Sequence, residues 1–119
     1  MSQSRAENQI DYIELPVSNM AVTKQFYSSV FGWKFEDYGP DYTSFFDGRL
    51  AGGFTMERPA PAQGLLLVIY ASDLPVTQQK IKVAGGAIVK DTFAFPGGRR
   101  FHFADPNGNE LAVWSDLEQ

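Results

Sequence analysis

An internal repeat with a period of 54 residues constrains the fold of this chain more than any other sequence feature. The two halves align without a gap from Ile13 to Phe35. The identical pairs are Ser18 and Ser72, Val22 and Val76, Thr23 and Thr77, Gln25 and Gln79, and Gly32 and Gly86. A repeat of this length is one supersecondary unit, which is too short to bury an adequate core alone. We therefore expect two similar units that pack together, with a cleft between facing sheets as the place to look for function.

The composition is that of one folded domain and limits the kinds of partner. The chain has 119 residues, 44% of them hydrophobic and 20% charged, with a net charge of −4, which suits a globular protein. It has no basic cluster beyond Arg99-Arg100 and no cysteine, so we expect neither a nucleic-acid partner nor a thiolate site. No apolar run reaches membrane-spanning length, and residues 1–8 lack the apolar segment of a signal peptide. We expect a flexible tail at 1–8, no membrane partner and a cytoplasmic location.

Hydrophobic periodicity in the first half predicts a strand, a helix and three further strands. Ser18 is the expected N-cap of the helix and Gly32 its expected left-handed C-cap, with Val22, Phe26 and Val30 on the apolar face. The predicted strands are 10–17, 33–38, 42–46 and 50–56.

The second half repeats this order. Asp73 is the expected N-cap of a second helix, whose apolar face holds Leu74, Thr77, Ile81 and Ala84. Strands are predicted at 65–71, 87–91, 100–104 and 109–114, with a flexible loop at 96–98. The fold class is therefore α+β: a single domain at 9–119 built from two βαβββ modules, 9–56 and 64–116, joined by a linker at 57–63.

Three sequence motifs, in this order on this repeat, resemble those of one family. They are Ile13-Glu14-Leu15-Pro16-Val17, the segment from Gln25-Phe26-Tyr27 to Val30-Phe31-Gly32-Trp33, and Asp105-Pro106-Asn107-Gly108-Asn109. Together they resemble the glyoxalase/bleomycin-resistance/dioxygenase family, also called the vicinal oxygen chelate family. The resemblance implies a glyoxalase-like curved mixed sheet around a cleft, often a homodimer, and in many members a divalent metal that chelates two neighbouring substrate oxygens.

The residues at the family's metal-binding positions do not suit a divalent cation. Counting from the helix starts and from the Asp105 turn, the resemblance places those positions at Tyr12, Leu66, Ala112 and, less securely, near Gly52. Divalent cations are held by imidazole nitrogens and carboxylate oxygens, which this set lacks. We therefore predict no cofactor and no metal at these positions; a divalent cation is possible only at a site that the family does not use.

Other side chains on the predicted cleft could carry chemistry. Glu14 and His102, the only histidine, are the candidate catalytic residues, and with Glu110 they form the only set that could hold a relocated metal ion. Either side chain could instead be an ordinary strand residue with a local partner. The candidate substrate-binding residues are Tyr12, Phe45, Phe54, Leu66, Tyr70, Ala112 and Trp114. Any one of these aromatic rings could equally be a core residue.

Three functions remain open at this point. The first is a cleft protein that binds an uncharged or singly anionic small organic molecule between aromatic walls, with His102 or Tyr12 donating a hydrogen bond. The second is an enzyme, namely a lyase, isomerase or dioxygenase, that uses a metal held by Glu14, His102 and Glu110 or uses Glu14 and His102 directly. The third is a dimeric interaction or regulatory module.

Overall fold

The chain folds into two modules with the same order of elements. The computed structural model describes residues 7, 8 and 10–117, so the predicted tail at 1–8 lies mostly outside the described residues. The first module consists of β1 (Tyr12–Pro16), α1 (Met20–Phe31), β2 (Lys34–Asp37), β3 (Tyr42–Phe46) and β4 (Ala51–Thr55). The second consists of β5 (Leu67–Tyr70), α2 (Leu74–Val83), β6 (Ala87–Phe95), β7 (Gly98–Ala104) and β8 (Glu110–Ser115).

Each module forms its own four-stranded mixed sheet, and the two sheets have equivalent strand orders. The orders are β1-β4-β3-β2 and β5-β8-β7-β6. In both sheets the first strand pairs in parallel with the last, and the other pairings are antiparallel. The predicted α+β class with two βαβββ modules is therefore confirmed.

Helix α1 begins one residue later than the sequence predicts, and its buried face includes the predicted Phe26 and Val30 but not Val22. Asn19, rather than Ser18, is the N-cap and accepts a hydrogen bond from the backbone N–H of Val22 at 3.1 Å. Gly32 ends the helix with φ +73°, as predicted. Val22 is exposed. The buried residues of the helix are Thr23, Phe26, Tyr27 and Val30.

Helix α2 follows its prediction. Asp73 caps it by accepting a hydrogen bond from the backbone N–H of Val76 at 3.0 Å, and a proline lies in the first turn, where its missing N–H costs nothing. Its buried residues are Leu74, Thr77 and Ile81. This face packs against the second sheet.

The two modules share one hydrophobic core. Tyr27, Trp33, Phe45 and Phe54 form a continuous aromatic stack, in which the ring centroids of Tyr27 and Trp33 are 4.6 Å apart and those of Trp33 and Phe45 are 4.7 Å apart. Phe26 of α1 extends the stack to Phe103 in the other module, at 6.0 Å. Since these rings come from both halves, neither half buries its apolar surface alone.

The Asp105 turn joins the second module to the first through buried hydrogen bonds. The Asp105 carboxylate accepts from the backbone N–H groups of Asn107 and Asn109, both at 2.9 Å, and from the Tyr27 hydroxyl at 2.8 Å. The Asn109 amide donates to the Pro16 carbonyl at 2.8 Å. The turn therefore positions β8 relative to both α1 and β1.

The β6–β7 hairpin is longer than predicted. Residues 92–95 continue β6, and Gly98 and Arg99 already belong to β7, so the expected flexible loop is a tight turn through Pro96 and Gly97. Gly97 has φ +110°, a conformation that glycine adopts without strain. Within the described residues, no helix is long and apolar enough to cross a membrane.

Candidate functional site

Each sheet turns one face toward the core and leaves the other open. On the second sheet, strand register places two rows of side chains side by side on the open face. One row is Val68, Ala112, His102 and Lys90, and the neighbouring row is Tyr70, Trp114, Arg100 and Phe93. We call this surface the second open face. Its concentration of large rings and charged groups makes it the principal candidate site.

A shallow pocket of about 230 Å³ lies on the second open face. Val68, Phe95, Arg100 and Trp114 line it. A larger groove of about 690 Å³ also borders on Val68 and Trp114, and on its other side it reaches the β3–β4 turn of the first module at Asp47. Apolar walls with a few polar groups are the usual composition of a small-molecule site.

Arg100 is the cation of this pocket and has no acidic partner among the described residues. Its guanidinium carbon lies 5.4 Å from the ring centroid of Phe93 and 5.7 Å from that of Phe95. Lys90 Nζ lies 4.3 Å from the same Phe93 ring. These distances fit cation–π contacts, which hold the guanidinium in place without neutralising its charge.

His102 and Glu110 form a pair beside this pocket. His102 Nδ1 lies 2.8 Å from Glu110 Oε2, and the imidazole side chain is 12% exposed. With the proton on Nδ1, the carboxylate fixes the ring orientation and leaves Nε2 as a hydrogen-bond acceptor. No group in the described part of the chain bonds to Nε2, which is buried. His102 therefore lies on the second open face, with Glu110 as its partner.

The open face of the first sheet carries a different cluster, built around two phenols. The Tyr12 and Tyr42 hydroxyl oxygens are 2.6 Å apart. Burial, with hydrogen bonds to Tyr12 and Glu14, raises the pKa of Tyr42 well above its usual range. Either hydroxyl can be the donor in the contact between the two phenols. The expected Tyr12 donor is therefore engaged within this cluster.

Glu14 completes this cluster and lies apart from His102. Arg58 Nη2 is 3.5 Å from Glu14 Oε1 and donates to the Glu14 carbonyl at 3.2 Å. Gly53 pairs with Glu14 in the strand register, and its lack of a side chain leaves room for the two phenols. The structure thus brings His102 and Glu110 together on the second sheet and places Glu14 on the first.

Two of the predicted ligand contacts, Phe45 and Phe54, lie in the core instead. They are 3% and 0% exposed. Phe54 pairs with Leu15, and Phe45 pairs with Gly52, which pairs with Ile13, so both rings share the face opposite Tyr12 and Glu14. A one-residue shift of strand register moves a side chain to the other face, and alternation within one strand cannot detect such a shift across the sheet.

Three further residues predicted to contact the ligand differ in exposure and location. Tyr70 is 50% exposed, forms an edge-to-face contact with Trp114 at 5.2 Å, and donates to Asp116 at 2.8 Å. Leu66 is partly exposed just before β5, whereas Ala112 lies in the His102 row but is buried. Arg100 was missed by the sequence reasoning, although its position two residues before His102 on the same strand places both on one face.

The family's metal positions do not converge on a donor set in this chain. Gly52 pairs with Ile13 and so faces away from Tyr12, and the residues that flank Tyr12 and Glu14 across the strand are Ala51 and Gly53. Neither Ala51 nor Gly53 has a side-chain atom that could bind a metal ion. Among residues 7, 8 and 10–117, no group of three or more histidine, aspartate or glutamate side chains is placed to hold a metal ion. The residues present therefore do not fit a divalent metal at the family position.

Comparison with known proteins agrees with this architecture. The chain is 23% identical over 115 residues to the putative glyoxylase CFP32 of Mycobacterium tuberculosis, which covers 87% of this chain and 44% of that protein. The chain thus spans less than half the length of that curated relative.

Solved structures with low sequence identity show the same fold. A glyoxalase/bleomycin resistance protein/dioxygenase family enzyme from Burkholderia phytofirmans superposes with a TM-score of 0.78 at 15% identity, covering 90% of this chain and 98% of that one. TnmS3, an antibiotic-binding protein from a Streptomyces species, gives 0.73 at 20% identity, covering 94% and 98%. The family profile of the Glyoxalase/Bleomycin resistance protein/Dioxygenase superfamily matches residues 9–113. The chain therefore belongs to the glyoxalase/bleomycin resistance protein/dioxygenase superfamily.

Proposed function

We propose that this protein binds a small organic molecule on its second open face and does so without a metal at the family position. The observation that carries the proposal is the pocket of about 230 Å³ between Val68, Phe95, Arg100 and Trp114. Its walls are largely apolar, and it lies beside the His102–Glu110 pair. A structural neighbour named as an antibiotic-binding protein supports binding as a function of this fold.

The exposed apolar side chains around the pocket support a binding role. Val68 is 46% exposed and Tyr70 50% exposed, in the two rows that cross the second open face. Covering apolar surface is worth roughly 25 cal/mol per Å². A ring placed on this face would gain from that term, while the polar groups would set its orientation.

A panel of small aromatic compounds tests the proposal by thermal shift, because a ligand that binds only the native state raises the melting temperature. We expect hits whose shift is lost in Trp114→Ala and kept in Val83→Ala, since Val83 is an exposed residue on α2. If a compound raised the melting temperature of Trp114→Ala as much as that of the wild type, its binding site would lie elsewhere on the protein. Stoichiometric metal in protein purified without added metal, lost on Tyr12→Phe, would contradict the metal-free site.

A second candidate function is acid–base catalysis by His102, of the lyase or isomerase type. The His102–Glu110 contact at 2.8 Å favours it, because a carboxylate that orients the imidazole through one nitrogen prepares the other nitrogen to take up a proton. A three-ligand metal site is not favoured, since Glu14 belongs to the Tyr12–Tyr42 cluster on the other sheet. Turnover abolished by both His102→Gln and Glu110→Gln, with ligand binding intact, would support catalysis over binding alone.

We also propose a homodimer. Leu65 and Leu66 expose large apolar side chains just before β5, and β5 is an edge strand. An apolar edge of this kind is a surface that proteins commonly cover. A second copy of the chain could cover it.

A further inference from the structure

We infer that the ligand is a monocarboxylate with a one-ring apolar body, and that Arg100 is the residue that selects for its charge. This inference rests on the proposed binding function of the second open face and assigns the chemical class of the molecule bound there.

The charge of the pocket favours an anionic ligand. Two carboxylates at the second open face have partners: Glu110 contacts His102 at 2.8 Å, and Asp116 accepts from the Tyr70 hydroxyl at 2.8 Å. Asp47, across the larger groove, accepts from the backbone N–H groups of Arg49 and Leu50. No described carboxylate forms an ion pair with Arg100. Since the whole chain carries a net charge of −4, an arginine without an acidic partner in an apolar pocket points to an anion supplied by the ligand.

The surroundings of the Arg100 guanidinium favour a carboxylate as that anion. Phe93 and Phe95 lie 5.4 and 5.7 Å from its central carbon, and Nε is enclosed without a hydrogen-bond partner among the described residues. The guanidinium therefore lies close to two aromatic rings, and its terminal nitrogens are left for a contact. Two parallel N–H groups match the two oxygens of a carboxylate, which makes such a contact both strong and directional.

The size and polarity of the rest of the pocket favour a ligand with a single apolar ring. Val68, Phe95 and Trp114 supply apolar walls to a space of about 230 Å³. A cavity of about 150 Å³ is known to accept benzene, so a single ring with a short carboxylate arm fits this space. Lys90, 4.3 Å from the Phe93 ring, adds a second positive charge nearby and further disfavours a cationic ligand.

The experiment compares phenylacetate with phenylacetamide, which has nearly the same shape but no charge. Isothermal titration of the full chain gives both affinities for the wild type, Arg100→Gln, Arg100→Lys and the control Arg99→Gln. Arg99 is a matched control because it is the adjacent arginine, paired with Ser115 on the opposite face of the same strand. The indole N–H signal of Trp114, assigned with Trp114→Phe, reports by NMR whether the probe occupies the pocket.

We expect phenylacetate to bind more tightly than phenylacetamide and to weaken roughly 10- to 100-fold in Arg100→Gln, as for loss of a charged hydrogen-bonded pair. Arg100→Lys should lose less affinity for phenylacetate than Arg100→Gln, and Arg99→Gln should bind phenylacetate as tightly as the wild type does. Phenylacetamide should bind the wild type and Arg100→Gln about equally, which also shows that the variant is folded.

Other outcomes overturn the inference in distinguishable ways. Equal affinity for the two probes, or an unchanged preference in Arg100→Gln, would refute the role of Arg100 while leaving the binding function standing. Binding that does not shift the Trp114 signal would refute the assigned location. Failure of phenylacetate, phenylacetamide and indole to bind at millimolar concentration would refute both the inference and the proposed function.

Discussion

A buried hydrogen bond between the side chains of Tyr27 and Asp105 links α1 to the second module. The phenol is fully buried, and its hydroxyl donates to Asp105 at 2.8 Å. Burial, followed by the nearby carboxylate, raises the pKa of Tyr27 well above 10. The phenol therefore stays neutral in the folded protein under all ordinary conditions and acts as a fixed donor.

Tyr27→Phe should destabilise the protein by about 1–3 kcal/mol, because the buried Asp105 carboxylate loses a donor without gaining water. Urea unfolding at neutral pH measures this. Tyr38→Phe is the control, since the Tyr38 hydroxyl makes its contact with Glu36 at the surface and its loss should change stability little. Equal stability of wild type and Tyr27→Phe would contradict the assigned role.

The same contact predicts how stability depends on alkaline pH. The folded-state pKa of Tyr27 is raised, so above about pH 10 the unfolded chain loses the phenolic proton while the folded chain retains it. Fewer protons on the unfolded state make stability fall as pH rises. The fall between about pH 9 and 11 should be shallower in Tyr27→Phe than in Tyr38→Phe, measured as urea midpoints across that range.

At the scale of elements, the β1–β4 pairing depends on two adjacent glycines that serve opposite faces. A Cβ on Gly52 would lie 2.3 Å from the Ile13 carbonyl oxygen and 2.2 Å from the Phe45 ring, inside the core. A Cβ on Gly53 would meet the ends of two tyrosine side chains, 1.9 Å from the Tyr42 hydroxyl and 2.6 Å from the Tyr12 hydroxyl. Backbone cannot move aside as a side-chain end can, so the two positions differ in tolerance.

Gly52→Ala should therefore destabilise the protein by about 1–3 kcal/mol or more, as overpacking of a core does. Gly53→Ala should cost less but should separate the two phenols, which ends their mutual hydrogen bond. Denaturant unfolding measures the loss of stability in each variant. Ultraviolet titration of Gly53→Ala should show a lowered pKa of Tyr42 if the two phenols have separated. A larger stability loss in Gly53→Ala than in Gly52→Ala would show that the register has been assigned to the wrong face.

The sequence determined these elements unevenly. The caps at Gly32 and Asp73 and the strand 42–46 were predictable because capping and alternation act within a few residues. The turn at Pro96-Gly97 was mistaken for a loop because the β6–β7 pairing that extends both strands is a contact between segments. The placements of Phe45 and Phe54 failed for a similar reason, since the register of one strand against another carries no local signal.

The candidate site was predictable only in part. Alternation along β8 predicts the face on which Trp114 lies, whereas the face of His102 follows only from the register of β7 against β8. The contact between His102 and Glu110 could be predicted only from the register of β7 against β8. The role of Arg100 required the positions of Phe93 and Phe95 on a third strand, where irregular pairing interrupts simple alternation. A site built from side chains on three strands cannot be predicted from the residue pattern along one strand.

At the scale of the whole molecule, the two open faces and the edge strands are the surfaces left for partners. We expect a homodimer that covers the apolar β5 edge, because Leu65 and Leu66 expose large apolar side chains there. Light scattering at micromolar concentration should give twice the monomer mass of 13.2 kDa. Leu65→Glu together with Leu66→Glu should shift the mass toward the monomer, whereas Val83→Glu on α2 should not. A stable monomer mass for the wild type would contradict this prediction.

The proposed function requires that an organic molecule bind the second open face without help from a divalent metal. Amide NMR of the full chain, titrated with a thermal-shift hit in excess EDTA, tests it most directly. We predict saturable shifts centred on Val68, Arg100 and Trp114, with the same dissociation constant before and after chelation. Binding that disappears with EDTA and returns with a divalent cation, or shifts confined to the Tyr12–Glu14 cluster, would contradict the account.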